Sequence, residues 1–224
     1  MSQRIEYHIH SFHSDGVMLP GEVISKAASL NYKALAITDH ADESNLEELL
    51  NNFKTFLKIT PQENLKVLTG VELSYVFPED LINTATKARE LGAQIIIVHG
   101  ETPTEPYNEG INDAAVDAPE GLIDIIAHPG FITAEQAQKA AQKNIYLELT
   151  TRKGHCLTNG HIAKIAKQNG AKMLINTNAH TIGDLITQEE AMTVAKGAGL
   201  ENEDILLVTE VYPEELLNKA LNIR

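Results

Sequence analysis

The chain has 224 residues, 43% hydrophobic and 22% charged, with a formal net charge of −13, a composition that is globular rather than disordered or fibrous. Such acidity argues against a surface that neutralises a nucleic-acid backbone with clustered Lys and Arg, so no nucleic-acid partner is expected. The single cysteine, Cys156, excludes an internal disulfide and suits a reducing cytoplasm, and no apolar run approaches the roughly 20 residues that span a bilayer, so a cytoplasmic protein without a membrane partner is expected.

Ile5 and Tyr7 alternate with Glu6 and predict a short strand that ends at His8 and His10. The sequence Ser14-Asp15-Gly16 then breaks it into a loop. Val23, Ile24, Ala27 and Leu30 predict a helix over 19–30, with Pro20 in its first turn. Lys33 to Thr38 is a buried strand that stops at Asp39-His40, a helix follows over 43–59, and 65–73 is a third strand carrying Glu72. Residues 80–91 are helical with Gly92 as the stop. The run 93–98 is a fourth strand, and 102–118 reads as a loop with one short helix. Strands over 122–127, 145–149 and 171–176 alternate with helices over 133–143 and 158–168, the first of these capped by Thr133 with Gln136 three residues on. Two further helices fall around 188–196 and 213–221.

Seven strands alternating with helices make parallel βαβ units, in one domain over 1–224. His40, Glu72, His99, His128 and His180 each fall at or just past the end of a different strand, with His8 and His10 on the first. An open sheet would spread these ends apart, at about 4.8 Å per strand, whereas a closed barrel gathers them at one mouth. The barrel is therefore expected, and six imidazoles with a carboxylate converging there call for more than one Zn, Mn or Fe ion. Any one of these histidines taken alone would be read as an ordinary hydrogen-bonded residue; their shared position on the strands makes the metal reading the better one.

The motifs His8-x-His10 with Ser14-Asp15-Gly16, Thr38-Asp39-His40, Gly70-Val71-Glu72, Val98-His99-Gly100, Ala127-His128-Pro129-Gly130 and Asn178-Ala179-His180 resemble, in order, those of the PHP domain, the polymerase and histidinol phosphatase superfamily. The resemblance implies an α/β fold, a distorted (βα)7 TIM-like barrel, and a metal-dependent phosphoesterase with two or three divalent ions. It puts His8, His10 and Glu72 on a first metal, Glu72 with His99 and His128 on a second, and Asp15, His40 and His180 on a third. Asn178 stands where the family usually has Asp; an amide oxygen can coordinate but brings no charge.

The cluster Arg152, Lys153 and His155 follows the sixth strand at the same mouth. Arg152 offers a planar fork for phosphate oxygens, and the resemblance supports a phosphate-binding residue here. Lys153 reads equally as part of a solvated loop. His13 reaches substrate or the third metal, or only solvates its loop. Asp39 and Glu101 are expected to orient His40 and His99, His161 to be structural, and Cys156 to be a packed thiol. The expected activity is hydrolysis of a small phosphomonoester, with histidinol phosphate as the substrate the resemblance suggests first. The alternatives are a nucleotide phosphodiesterase on the same fold and a non-catalytic metal-binding barrel.

Overall fold

A computed structural model of the chain describes residues 2–60 and 64–223. The strands β1 (Ile5–Glu6), β2 (Ala34–Ile37), β3 (His40–Ala41), β4 (Lys66–Leu73), β5 (Ile95–His99), β6 (Ile125–Ala127), β7 (Tyr146–Thr150) and β8 (Met173–Asn176) are all parallel, in the order β1-β2-β4-β5-β6-β7-β8 with β3 also on β4. Ile37 pairs with Thr69 and His40 with Glu72, so β3 keeps the register of β2 across a break at Thr38 and Asp39. The two together make one stave of a seven-stave, TIM-like α/β barrel, as the alternation of the sequence predicts.

The seam between β8 and β1 is closed in another way. Beyond β1 the chain runs on to His10, whose N–H donates to the Ala179 carbonyl (2.8 Å), and the Ala179 N–H donates to the His8 carbonyl (3.2 Å). Below that single bridge, side chains replace the ladder. Glu6 Oε1 accepts from the N–H of Thr177 (3.0 Å) and of His8 (3.2 Å), and Asn176 Oδ1 accepts from the Tyr7 N–H (3.3 Å). Arg4 pairs with Glu6 while donating to the Ile175 carbonyl at 3.0 Å.

Two apolar layers follow from the period of two along each strand. Leu35, Ile37, Val67, Val71, Ile96, Val98, Ile126 and Leu147 face the helices, while Ala34, Ala36, Leu68, Ile95, Ile97, Ile125, Tyr146 and Leu174 fill the barrel. The crossovers are made by α1 (Pro20–Ser29), α2 (Leu46–Ile59), α3 (Leu81–Glu90), α4 (Ile111–Asp117), α5 (Ala134–Lys143) and α6 (Asn159–Asn169). Pro20 opens α1, Thr133 and Gln136 form the predicted capping box of α5, and Gly92 leaves α3 at φ +86°. After α7 (Gln188–Gly197) come a short α8 (Asn202–Leu206) and a π-helical turn (Leu207–Val211), neither predicted from the sequence, which run directly into α9 (Tyr212–Leu221). Leu216, Leu217 and Ala220 of α9 join the barrel's inner cluster. Lys219 pairs with Asp124, just before β6, and Gln94, just before β5, donates to the Ala220 carbonyl, so α9 closes the N-terminal end and leaves the other end for chemistry.

Candidate metal centre

The inward parity that puts Ile95 and Ile97 in the barrel carries on to His99, and that of Leu68 carries on to Glu72. His128 has the opposite parity to Ile125 and Ala127, and a left-handed backbone (φ +31°) directly after β6 turns it inward. Asn178 is likewise left-handed, at φ +50°.

Glu72 is fully buried at the centre of the cluster. Its Oε2 lies 3.0 Å from His40 Nδ1, 3.2 Å from His8 Nε2 and 3.4 Å from His10 Nε2, and its Oε1 lies 3.6 Å from His128 Nε2. Donor atoms within 4.8 Å of one another form four groups: His8, His10 and Glu72; Glu72, His99 and His128; His10, Asp15, His40 and His180; and His8, His128 and Glu148. Both oxygens of Glu72, both ring nitrogens of His128, Nδ1 of His10 and Oδ1 of Asn178 are buried without a hydrogen-bond partner among the described residues. Buried polar atoms are nearly always satisfied. Unsatisfied carboxylate, imidazole and amide donors gathered in one place are the set that divalent Zn, Mn or Fe ions satisfy, so the residues fit a metal centre.

Charge inside the cluster is finely divided. Burial disfavours the charged form of His8, but Glu148 and Glu72 outweigh it and hold the ring well above the usual histidine value; burial likewise opposes a charged His40, and Glu72 reverses the balance. Burial, reinforced by His40 for His10 and by His99 for His128, keeps those two rings well below it. Burial would raise the Glu72 carboxyl, yet His8 and His40 hold it well below the carboxylate range.

Two carboxylates escaped the sequence reading. Glu148 on β7 accepts from His8 Nδ1 (2.7 Å), the His128 N–H (3.0 Å) and Asn176 Nδ2 (3.0 Å), leaving His8 Nε2 to face the cluster. It shares the inward parity of Tyr146, so an acidic residue on the inner face of an apolar strand was the available signal. Glu105, in the loop after β5, links His99 Nε2 (3.3 Å) to His155 Nε2 (3.1 Å), and hydrogen bonds from His155 and then His99 lower its pKa strongly. No periodicity marks that position.

The expected orienting roles of Asp39 and Glu101 are not those observed. Asp39 accepts from the N–H (2.7 Å) and Oγ (2.7 Å) of Ser11 and from Ser14 Oγ (2.6 Å), bracing the loop that carries Asp15; Ser74 Oγ, at 2.6 Å, is what meets His40 Nδ1. Glu101 Oε1 accepts from the N–H groups of Gly110 (2.9 Å) and Asn112 (3.3 Å), because it stands at the mouth of a loop whose amides need an acceptor, while Glu105 takes His99. Asp15 Oδ2 meets His180 Nε2 at 3.1 Å. His13 lies against Phe12 (ring centroids 4.2 Å apart) and belongs to none of the donor groups found among the described residues. Arg152 is part-exposed, with Nη1 3.6 Å from Asp184 Oδ2, the oxygen that accepts from the His180 N–H. His155 is buried with Nδ1 2.7 Å from Thr102 Oγ1 and its ring 4.3 Å from that of His128, so it belongs to the cluster wall rather than to an exposed basic patch. His161 Nε2 donates to the Ile132 carbonyl at 2.8 Å, the structural role expected of it.

The model of the PHP domain matches residues 6–190. The chain belongs to that family. An uncharacterized protein of Methanocaldococcus jannaschii is 43% identical over 96% of this chain and 99% of its own length. The ribonuclease P protein component 3 of Methanosarcina barkeri is 24% identical over 92% of this chain and 85% of its own length. A probable phosphatase of Thermoanaerobacter sp. is 30% identical over 69% of each chain. Among solved structures, a chain of archaeal ribonuclease P with mature tRNA covers 97% of this chain and 89% of its own length at TM-score 0.63 and 18% identity, a likeness of fold.

The kinship with ribonuclease P components corrects the expectation that nucleic acid is excluded. A net charge sums the whole surface, whereas backbone recognition depends on a local patch and on bound cations, so −13 carried less weight than the reading gave it. No helix among the described residues is long and apolar enough to cross a membrane.

Proposed function

We propose that the chain is a metal-dependent phosphoric ester hydrolase acting on a small phosphomonoester, with histidinol phosphate the first candidate. The observation that carries the reading is Glu72, buried and without a hydrogen-bond partner among the described residues, yet faced by four imidazoles from three different segments of the chain. The identity with a probable phosphatase supports the reaction class.

In this reading His8, His10 and Glu72 would hold one cation, Glu72, His99 and His128 a second, and Asp15, His40 and His180 a third. Bound divalent cations would supply Lewis-acid polarisation of phosphoryl oxygens and a lowered pKa for water. The chain's own residues bind and orient. Glu148 fixes the His8 ring through Nδ1. Arg152, held only at 3.6 Å by Asp184, can swing its planar fork to phosphate oxygens and take up charge that grows on them. A second reading, a role in an RNA-containing assembly, is favoured by the likeness to ribonuclease P protein component 3 and is compatible with the first.

The test is a panel of phosphorylated metabolites, a simple phosphodiester and an oligoribonucleotide, offered to protein reconstituted with Zn, Mn or Fe. Chelator-sensitive release of phosphate from monoesters is expected. No hydrolysis of any ester with cations bound would contradict the proposal.

Asn178 supplies a sharper prediction. Its Oδ1 is buried and unpartnered, and a carboxylate suits a divalent cation better than an amide. Asn178→Asp is expected to raise occupancy of the first metal position in elemental analysis. Unchanged stoichiometry would mean that position 178 is not a ligand.

A further inference from the structure

All five exposed aromatic side chains among the described residues lie on loops that leave the C-terminal ends of strands: Phe12 after β1, Tyr75 and Phe77 after β4, Tyr107 after β5 and Phe131 after β6. The chain has eleven Phe and Tyr residues in all, 5 and 6 respectively, so their confinement to the mouth is not a matter of scattered surface hydrophobes. One of them is tied directly to the metal centre. The Tyr75 ring lies 5.9 Å from that of His99 with an interplanar angle of 24°, stacked, while 58% of the residue remains exposed.

That placement is held against a backbone preference. Tyr75 has φ +59°, a left-handed conformation that a bulky non-glycine residue rarely adopts and that persists only where surrounding contacts enforce it. The enforcing contact is Asn108, from the next loop, whose Nδ2 donates to the carbonyls of Tyr75 (2.9 Å) and Val76 (3.0 Å). Half-open to solvent, the ring does not serve the core. It offers a planar π-face beside the imidazole that would coordinate a cation.

We infer that Tyr75 is a specificity-determining residue that stacks on a planar group of the substrate, so that the preferred phosphoric ester carries an aromatic ring or a nucleobase close to its phosphate rather than a saturated chain. This rests on the reaction class proposed above. A ring pair in offset stacking is stabilised beyond the area it buries, whereas a saturated group of equal size gains only the burial. Phe77 and Tyr107, on the two loops that Asn108 joins, are exposed as well.

The experiment compares phenylphosphonate with cyclohexylphosphonate, which share the phosphonate and differ in the flatness of the ring, by calorimetry on metal-reconstituted protein. Wild type is expected to bind the phenyl compound about tenfold more tightly. Tyr75→Phe should keep that ratio and Tyr75→Leu should bring it to near one, with metal content equal in all three proteins. A ratio near one in wild type, or a ratio unaltered in Tyr75→Leu, overturns the inference. Parallel hydrolysis of phenyl phosphate and cyclohexyl phosphate separates the two levels of the argument. Turnover of both esters without discrimination removes the stacking role alone, whereas neither binding nor turnover of either removes the phosphoesterase reading and the inference with it.

Discussion

Glu72→Ala is expected to lose bound metal and to lower kcat/KM for any phosphoric ester by about a thousandfold or more, the scale of several kcal/mol of charge stabilisation. The reason is position. Its two oxygens face four imidazoles at 3.0 to 3.6 Å and have no hydrogen-bond partner among the described residues, so in the proposed assignment it serves two cations at once. Glu148, the other fully buried carboxylate of the cluster, is committed to His8, the His128 amide and Asn176 and is not free to replace it. Glu72→Gln keeps the volume and removes the charge, and should fall nearly as far. Elemental analysis with steady-state kinetics on folded protein, verified by circular dichroism, reads the outcome. A variant that keeps both its metals and its rate would leave Glu72 with no part in the centre.

The second large effect is on stability. Arg4 and Glu6 have side chains 2% and 0% exposed and pair with each other at the seam, where Glu6 also accepts the amides of His8 and Thr177. Removing one partner of a buried pair leaves the other charge uncompensated, at a cost of about 3–5 kcal/mol. Glu6→Ala should therefore lower Tm by roughly 6–20 °C for a chain of this size. Replacing Arg4 and Glu6 together by Met and Leu should be much milder, because no lone charge remains. A Tm for Glu6→Ala within a degree or two of wild type would show that the seam does not depend on this pair.

Much of the barrel was legible because its signals are local. Seven apolar runs ended in polar residues, Thr133 and Gln136 announced a cap that the structure contains, and Gly92 ended its helix where expected. Six of the histidines that end strands enter the donor groups, which follows from parallel strands delivering their C-terminal ends to one face. What was hidden depends on contacts between distant segments. The seam joins Glu6 to Thr177, and Glu105 meets His155 across 50 residues. Asp39 sits beside His40 in sequence, yet it turns to Ser11 and Ser14, because the loop's amide and hydroxyls need an acceptor while Ser74 is already at the ring of His40. Adjacency in sequence is a poor guide to which side chain a carboxylate will meet.

The central claim is that the buried, unpartnered donors at the barrel mouth are a cation site on which hydrolysis depends. Its most direct test is elemental analysis of wild-type protein after reconstitution with Zn, Mn or Fe and removal of excess ion, with phosphate release followed on the same sample before and after chelation. The account predicts at least about two ions per chain, lost together with hydrolysis on chelation and regained together on re-addition. Less than about one equivalent bound after reconstitution, or hydrolysis that persists in the fully chelated protein, would contradict it.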